Sequence, residues 1–251
     1  MARADKKTER WLEHPRRSTV KGGLSTFSLH GYGRAWKVFF HWCVRQGYLR
    51  RDPSDSLKLP FLPEQPPKAV LPTDLERFLA ATRDDPLDHA LICFLADTGC
   101  RIGGLVNLRL ADLNLEAGSA LVHEKGRGGQ PQVRKVYMKP RTVQALRAYL
   151  EAHPVEATQP VFWGQRGPLT GSGIFQRLKR VAAEARIPGR SNPHAFRHGF
   201  VRGALQNGAD LSTVAQLAGH RNVAVTAQYY ARWNDAELNE AHNQVSWLPS
   251  E

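Results

Sequence analysis

The chain has 251 residues, with 35 Lys and Arg against 23 Asp and Glu for a formal net charge of +12, and 41% of it is apolar. That is enough apolar content for a sizeable core in one large or two modest domains, which excludes a disordered basic tail. The longest unbroken apolar run, Ala90 to Ala96, falls far short of the roughly 20 residues that span a bilayer, so no transmembrane helix is expected.

Residues Met1 to Arg10 are basic and polar, without the apolar stretch of a secretory signal. Cys43, Cys93 and Cys100 have neither disulfide-framework nor metal-ligand spacing, so a reducing, cytoplasmic setting is expected. The charge surplus attracts polyanions, and nucleic acid is the expected partner. From Ser25 to Tyr48, Phe27, Leu29, Tyr32, Trp36, Phe39, Phe40, Cys43 and Val44 recur at helical spacing, with Gly47 as the stop. The other face of this amphipathic helix carries Arg34, Lys37, His41 and Arg45, either a solvated surface or a phosphate-facing stripe.

Pro53, Pro60, Pro63, Pro66 and Pro67 cannot belong to a helix or a central strand. They predict a linker over 60–70 between a small helical domain at 1–59 and a larger one at 71–251. Thr73-Asp74-Leu75-Glu76 has the form of a capping box ahead of an apolar-periodic run. A further helix begins near Pro86 and is closed by Gly99 in a left-handed conformation, immediately before Arg101. Two β-like runs, 119–125 and 132–138, flank the turn Gly126-Arg127-Gly128-Gly129-Gln130-Pro131, with Lys125 at its lip. Helical patterns follow at 140–153, 171–186, 193–207, 211–219 and 224–242. The expected fold is mostly α with a small antiparallel β-sheet.

Pro193 suits the first turn of a helix capped by Ser191 or Asn192, which places His194 and Arg197 on one face near the positive helix N-terminus, where an anion is favoured. In isolation they read equally as a capping His and a surface Arg. His194 and His198 have the spacing of a helical zinc site, but Ala195 stands where a metalloprotease needs Glu and no third ligand is evident, so no metal is expected. The two short helices around Gly219 have the form of a helix-turn-helix, which predicts DNA binding without chemistry and leaves His220 and the pair Tyr229-Tyr230 unexplained. A metal-dependent nuclease is disfavoured because no carboxylate cluster suits Mg²⁺.

Taken together, Thr98-Gly99-Cys100-Arg101, Lys125-Gly126, His194-Ala195-Phe196-Arg197, Leu217-Ala218-Gly219-His220 and the tyrosines beyond resemble the tyrosine recombinase or phage integrase family. The likeness spans about Leu71 to Trp233, with a weaker match over 24–60 to the helical core-binding domain, here a helix or two short of the usual bundle. It implies a site-specific recombinase that breaks duplex DNA through a 3′-phosphotyrosine and rejoins it without metal, ATP or other cofactor. By the same resemblance Arg101, Lys125, His194, Arg197 and His220 serve the reaction, with Lys125 as general acid. Tyr230 is the expected nucleophile, on the likeness of Tyr230-Ala231-Arg232 to the family's continuation, and Tyr229 is the other candidate.

Arg34, Lys37, Arg45 and Arg127 are expected to touch DNA. A monomer in solution that becomes a homotetramer on synapsed DNA is expected, with Leu238, Val245, Trp247 and Leu248 either seated in a neighbour or covering their own domain. A type IB topoisomerase-like relaxation would share the site without partner exchange. One departure stands out: the family commonly carries Glu three residues after its first arginine, where this chain has Gly104, so carboxylate support for Arg101 must come from elsewhere or be missing.

Overall fold

The structure, a computed structural model, describes residues 24–62, 68–126, 130–189, 191–220, 222–230 and 239; the side chains of Lys125, Pro131, Gln228, Tyr229 and Tyr230 lie outside the description. The chain divides into two compact units, Met1–Gln65 and Pro66–Glu251, with the break inside the proline-rich stretch.

In the first unit, helix α1 (Thr26–Arg45) starts at Ser25, whose hydroxyl accepts from the Ser28 N–H at 3.2 Å, and is followed by Gly47 at φ +79°. The helix buries Gly33 and Cys43, and a Cβ at position 33 would come within 2.5 Å of Leu59 Cδ2, so this glycine lets the segment after α1 cross it closely. Of the apolar face read from the periodicity, Cys43 is buried and Phe40 and Val44 are half-buried, whereas Phe27, Leu29, Tyr32, Trp36 and Phe39 are exposed among the described residues. Periodicity marks the apolar face of a helix but does not supply its cover.

The second unit is built on helix α3 (Pro86–Thr98), which contains the long apolar run and is buried nearly all round. Asp85 caps it by accepting from the Asp88 N–H at 3.0 Å, and Gly99 closes it at φ +54°. The end of α3 requires glycine twice over: a Cβ at 99 would also stand 2.5 Å from Phe200 Cδ1. Helix α2 (Pro72–Ala81) precedes α3 and departs from the expected capping box. Its cap is Leu71, without a side-chain hydrogen bond, because Pro72 already fits the first helical position and draws the start one residue ahead of Thr73.

After Gly99 comes a short helix that periodicity did not reveal, α4 (Ile102–Val106), with Arg101 at its N-cap. A three-stranded antiparallel sheet follows, ordered β1 (Leu113–Asn114), β2 (Ser119–Lys125), β3 (Pro131–Tyr137). Ala120, Val122 and Glu124 of β2 and Arg134 and Val136 of β3 are buried on one face. Helix α5 (Pro140–Ala152) and helix α7 (Pro193–Gln206) pack on α3, and α6 (Gly171–Glu184) brings Arg177 to Asp88 at 2.8 Å. A two-stranded hairpin, β4 (Trp163–Gly164) with β5 (Gly167–Pro168), precedes α6 and was also not foreseen. Phe78 and Phe196 meet with ring centroids 5.1 Å apart in the core joining α2 to α7. The chain then runs through α8 (Leu211–Ala218) and α9 (Val223–Tyr230); the rest of the helix expected to reach residue 242 lies outside the described residues apart from 239. Among the described residues no helix is long and apolar enough to cross a membrane.

Candidate active site

The site is organised by the C-terminal end of α8. The last carbonyls of a helix have no partner within it and carry the negative end of its dipole, so cations are favoured there. Three consecutive carbonyls each accept from a different arginine. Leu217 O accepts from Arg134 Nη1 of β3, Ala218 O from Arg197 Nη2 of α7 at 2.5 Å, and Gly219 O from Arg101 Nη2 at 3.3 Å. Arg197 Nη1 also donates to Gly99 O at 2.8 Å, tying the end of α3 to the end of α8.

Gly219, at φ +68°, ends α8 in a left-handed turn, and a Cβ there would lie 2.8 Å from Arg134 Cδ. The same turn sends the His220 N–H back to Ala215 O at 2.8 Å, a closure that fixes where the imidazole starts. His220 Nδ1 then meets the hydroxyl of buried Thr226 on α9 at 2.9 Å. Arg101, Arg197 and His220, which are far apart in sequence, thus come together. With 5% of its surface exposed, Arg197 is not the surface arginine that one reading of its motif allowed, whereas the Arg101 side chain keeps 34% open to a ligand.

Glu124 and Arg134 complete the cluster, and sequence reasoning missed both. The Arg101 backbone N–H donates to Glu124 Oε1 at 2.8 Å, the Arg101 guanidinium to Oε2, and Arg134 Nη2 to Oε1 at 3.3 Å. Burial disfavours the Glu124 carboxylate, but the Arg101 N–H and the two guanidiniums outweigh it and hold the carboxyl below its usual range. The carboxylate partner left open by Gly104 is therefore present. A Cβ at position 104 would stand 3.1 Å from Glu124 Cγ, so Glu124 fills the space into which a side chain at 104 would grow. The available signal was charge at inward-facing strand positions: Glu124 shares its face with Ala120 and Val122, and Arg134 with Val136.

The remaining expected residues stand as follows. His194 is exposed on the first turn of α7, whose cap is Asn192, with Oδ1 accepting from the Ala195 N–H at 2.9 Å. Lys125 ends β2, and Tyr229 and Tyr230 end α9, all three with side chains outside the description. Arg127 lies outside the described residues. Arg34 and Arg45 are exposed and Lys37 is half-buried on α1 of the other unit. Among the described residues, no three His, Cys, Asp or Glu side chains form a group that could hold a metal.

His220 is driven down to about 4 by burial first, then by Arg197, Arg101, Arg134 and His198. His198 falls to about 4 as well, through burial, His194 and Arg197. Both imidazoles are neutral at pH 7 in the free protein. Below their ordinary value of about 6.5 the unfolded chain takes up protons that the folded chain refuses, so their contribution to stability falls as pH drops from about 6.5 to about 4. The melting temperature is expected to decline across that window, and His198→Asn to flatten the slope; a slope identical to that of the unaltered chain would contradict the assignment.

Comparison with known proteins agrees with this geometry. Residues 68–237 match the phage integrase family. Tyrosine recombinase XerD of Listeria innocua serovar 6a is 31% identical over 235 residues, covering 89% of this chain and 77% of the relative. In fold, the chain is similar to the Tn1549 transposon integrase solved with a circular intermediate DNA, with a TM-score of 0.71 at 23% identity over 89% of this chain and 81% of that one. It is also similar to the XerA recombinase, with a TM-score of 0.64 at 24% identity over 97% and 90%. The chain belongs to the phage integrase family and is a site-specific tyrosine recombinase, a DNA strand-transferring enzyme.

Proposed function

We propose that the cluster at the end of α8 grips one phosphodiester of duplex DNA and that Tyr230 attacks it to give a 3′-phosphotyrosine. The observation that carries this reading is the gathering of Arg101, Arg134 and Arg197 on three successive carbonyls beside His220. A phosphodiester repels nucleophiles by its charge, and the pentacoordinate transition state concentrates more charge on the nonbridging oxygens. Arg101 and Arg197 neutralise that charge from preset positions. His220 Nδ1 is paired with the Thr226 hydroxyl, and in the tautomer that has the hydroxyl as donor, neutral His220 carries its proton on Nε2 and donates it to the same phosphate.

The phenol, with an ordinary pKa of about 10, loses its proton more readily beside these cations, with exposed His194 as acceptor. The Tyr230 Oη–P bond forms and the P–O5′ bond breaks, with Lys125 delivering a proton to the departing oxygen. Attack by a 5′ hydroxyl reverses the step, so the bond energy is retained and neither ATP nor metal is needed. Adjacent positions on α9 point about 100° apart, so only one tyrosine faces the phosphate, and Tyr230 is the choice because Tyr230-Ala231-Arg232 resembles the family's continuation after the nucleophile.

In the same reading the first unit is a core-binding domain that meets the DNA backbone through Arg34, Lys37 and Arg45, with Arg127 reaching it from the hairpin turn. The setting is the cytoplasm, where chromosomal DNA lies. Four protomers assemble on two DNA sites, each lending its C-terminal segment to a neighbour. Incubation with fragmented genomic DNA of the host, denaturation, and sequencing of whatever remains attached tests the chemistry: one recurring sequence is expected, and absence of attached DNA would refute it. Truncation after Arg232 is expected to leave a folded monomer that no longer assembles on the recovered site in gel filtration. Unchanged assembly would mean that the segment covers its own domain.

A further inference from the structure

Arg101 owes its position to a residue on another element. Its guanidinium and its backbone N–H both bind the carboxylate of Glu124, whose side chain is 1% exposed, and Arg134 binds the same carboxylate from the neighbouring strand. In the β2–β3 register Glu124 faces Gln132 and Val122 faces Arg134, so Glu124 and Arg134 are diagonal neighbours on the inward face. The carboxylate thus joins an arginine of the α3–α4 junction to an arginine of the hairpin, and both arginines continue to the end of α8. The absence of a side chain at residue 104 eases this arrangement: Glu124 Cγ lies 3.1 Å and Val122 Cβ 3.2 Å from where a Cβ would be, so a side chain there would press on both by a few tenths of an ångström.

We propose that Glu124 is the positioning residue of Arg101 in the strand-transfer reaction, and that Gly104 and Glu124 form one exchangeable unit in which the carboxylate is supplied from strand β2 instead of helix α4. This rests on the reading that Arg101 binds the reacting phosphate. A flexible arginine held at two points, backbone and fork, meets the transition state with less ordering left to do. Removing the carboxylate leaves two guanidiniums facing each other with nothing between them, so Arg101 turns away and Arg134 is left as a buried charge without its counter-ion. Seating the carboxylate on β2 also ties the phosphate clamp to the strand whose next residue is Lys125, so a shift of the hairpin is felt at Arg101.

Four variants test this: Glu124→Gln, which keeps the shape, Glu124→Gly, Gly104→Glu, and the exchange Gly104→Glu with Glu124→Gly. In the protein alone, ¹⁵N spectra should show slowly exchanging Arg101 guanidinium protons in the unaltered chain and in the exchanged one. The signals should be lost in Glu124→Gln; their persistence there would overturn the proposal without any DNA being involved. On fragmented host genomic DNA, covalent adduct formation is expected to slow about 10²-fold in Glu124→Gln while noncovalent retention of the same fragments changes less than about 3-fold, and the exchange should restore most of the rate. An Arg101→Ala control separates the two claims. If it forms adduct normally, the reading of Arg101 fails; if it is inactive while Glu124→Gln cleaves at the unaltered rate, only the positioning role fails.

Discussion

Arg197→Lys is expected to fold and bind DNA yet to form covalent adduct at least about 10²-fold more slowly, and Arg197→Ala to lose both adduct and stability. The guanidinium spans two carbonyls contributed by different helices, Gly99 O at the end of α3 and Ala218 O at the end of α8. A lysine ammonium brings the charge but lacks a planar fork, so it satisfies one carbonyl at the expense of the other. Alanine leaves both without this donor in a site where the arginine is 5% exposed, and each buried unsatisfied group costs about 1–3 kcal/mol. Melting temperature and adduct yield, measured on the same preparations, check this. Wild-type cleavage by Arg197→Lys would show that the charge acts without its geometry.

Tyr230→Phe is expected to abolish the adduct, and Tyr229→Phe to retain it. Phenylalanine has no oxygen to form the phosphodiester, so the loss is complete rather than graded. Neighbouring positions on α9 are turned about 100° from one another, so only one of the two tyrosines can face a given phosphate. Denaturing gels of protein trapped on the recovered DNA read the result directly. An adduct that survives Tyr230→Phe and disappears with Tyr229→Phe would transfer the role to the earlier residue.

Much of the site was legible because it is punctuated locally. Pro86 and Gly99 bracket α3 and so fix where Arg101 emerges, Pro193 sets the start of α7 and the turn that carries His194 and Arg197, and Gly219 sets His220. The hairpin announced itself by alternation and a glycine-rich turn, although its second strand begins at Pro131, one residue earlier than the apolar pattern.

What stayed hidden depends on contacts between distant positions. Arg134 meets Glu124 across ten residues and Leu217 across 83, distances over which no period operates. Gly104 pointed to a missing carboxylate but gave no hint that the opposite strand supplies it. The start of α2 was misplaced because Thr73 looked like a cap while Pro72 already met the steric rule for the first turn. On α1 the spacing of the aromatics marks a face, but whether such a face is covered depends on what packs against it, which periodicity does not carry.

The central step is the bonding of a phenolic oxygen to DNA phosphorus beside three gathered arginines. Tryptic digestion of the DNA-trapped protein, nuclease trimming and tandem mass spectrometry of the peptide spanning 222–232 measure this directly. A nucleotide mass is expected on that peptide, with fragment ions placing it on Tyr230. A modification on any other peptide, or trapped DNA whose linkage is not to tyrosine, would contradict it.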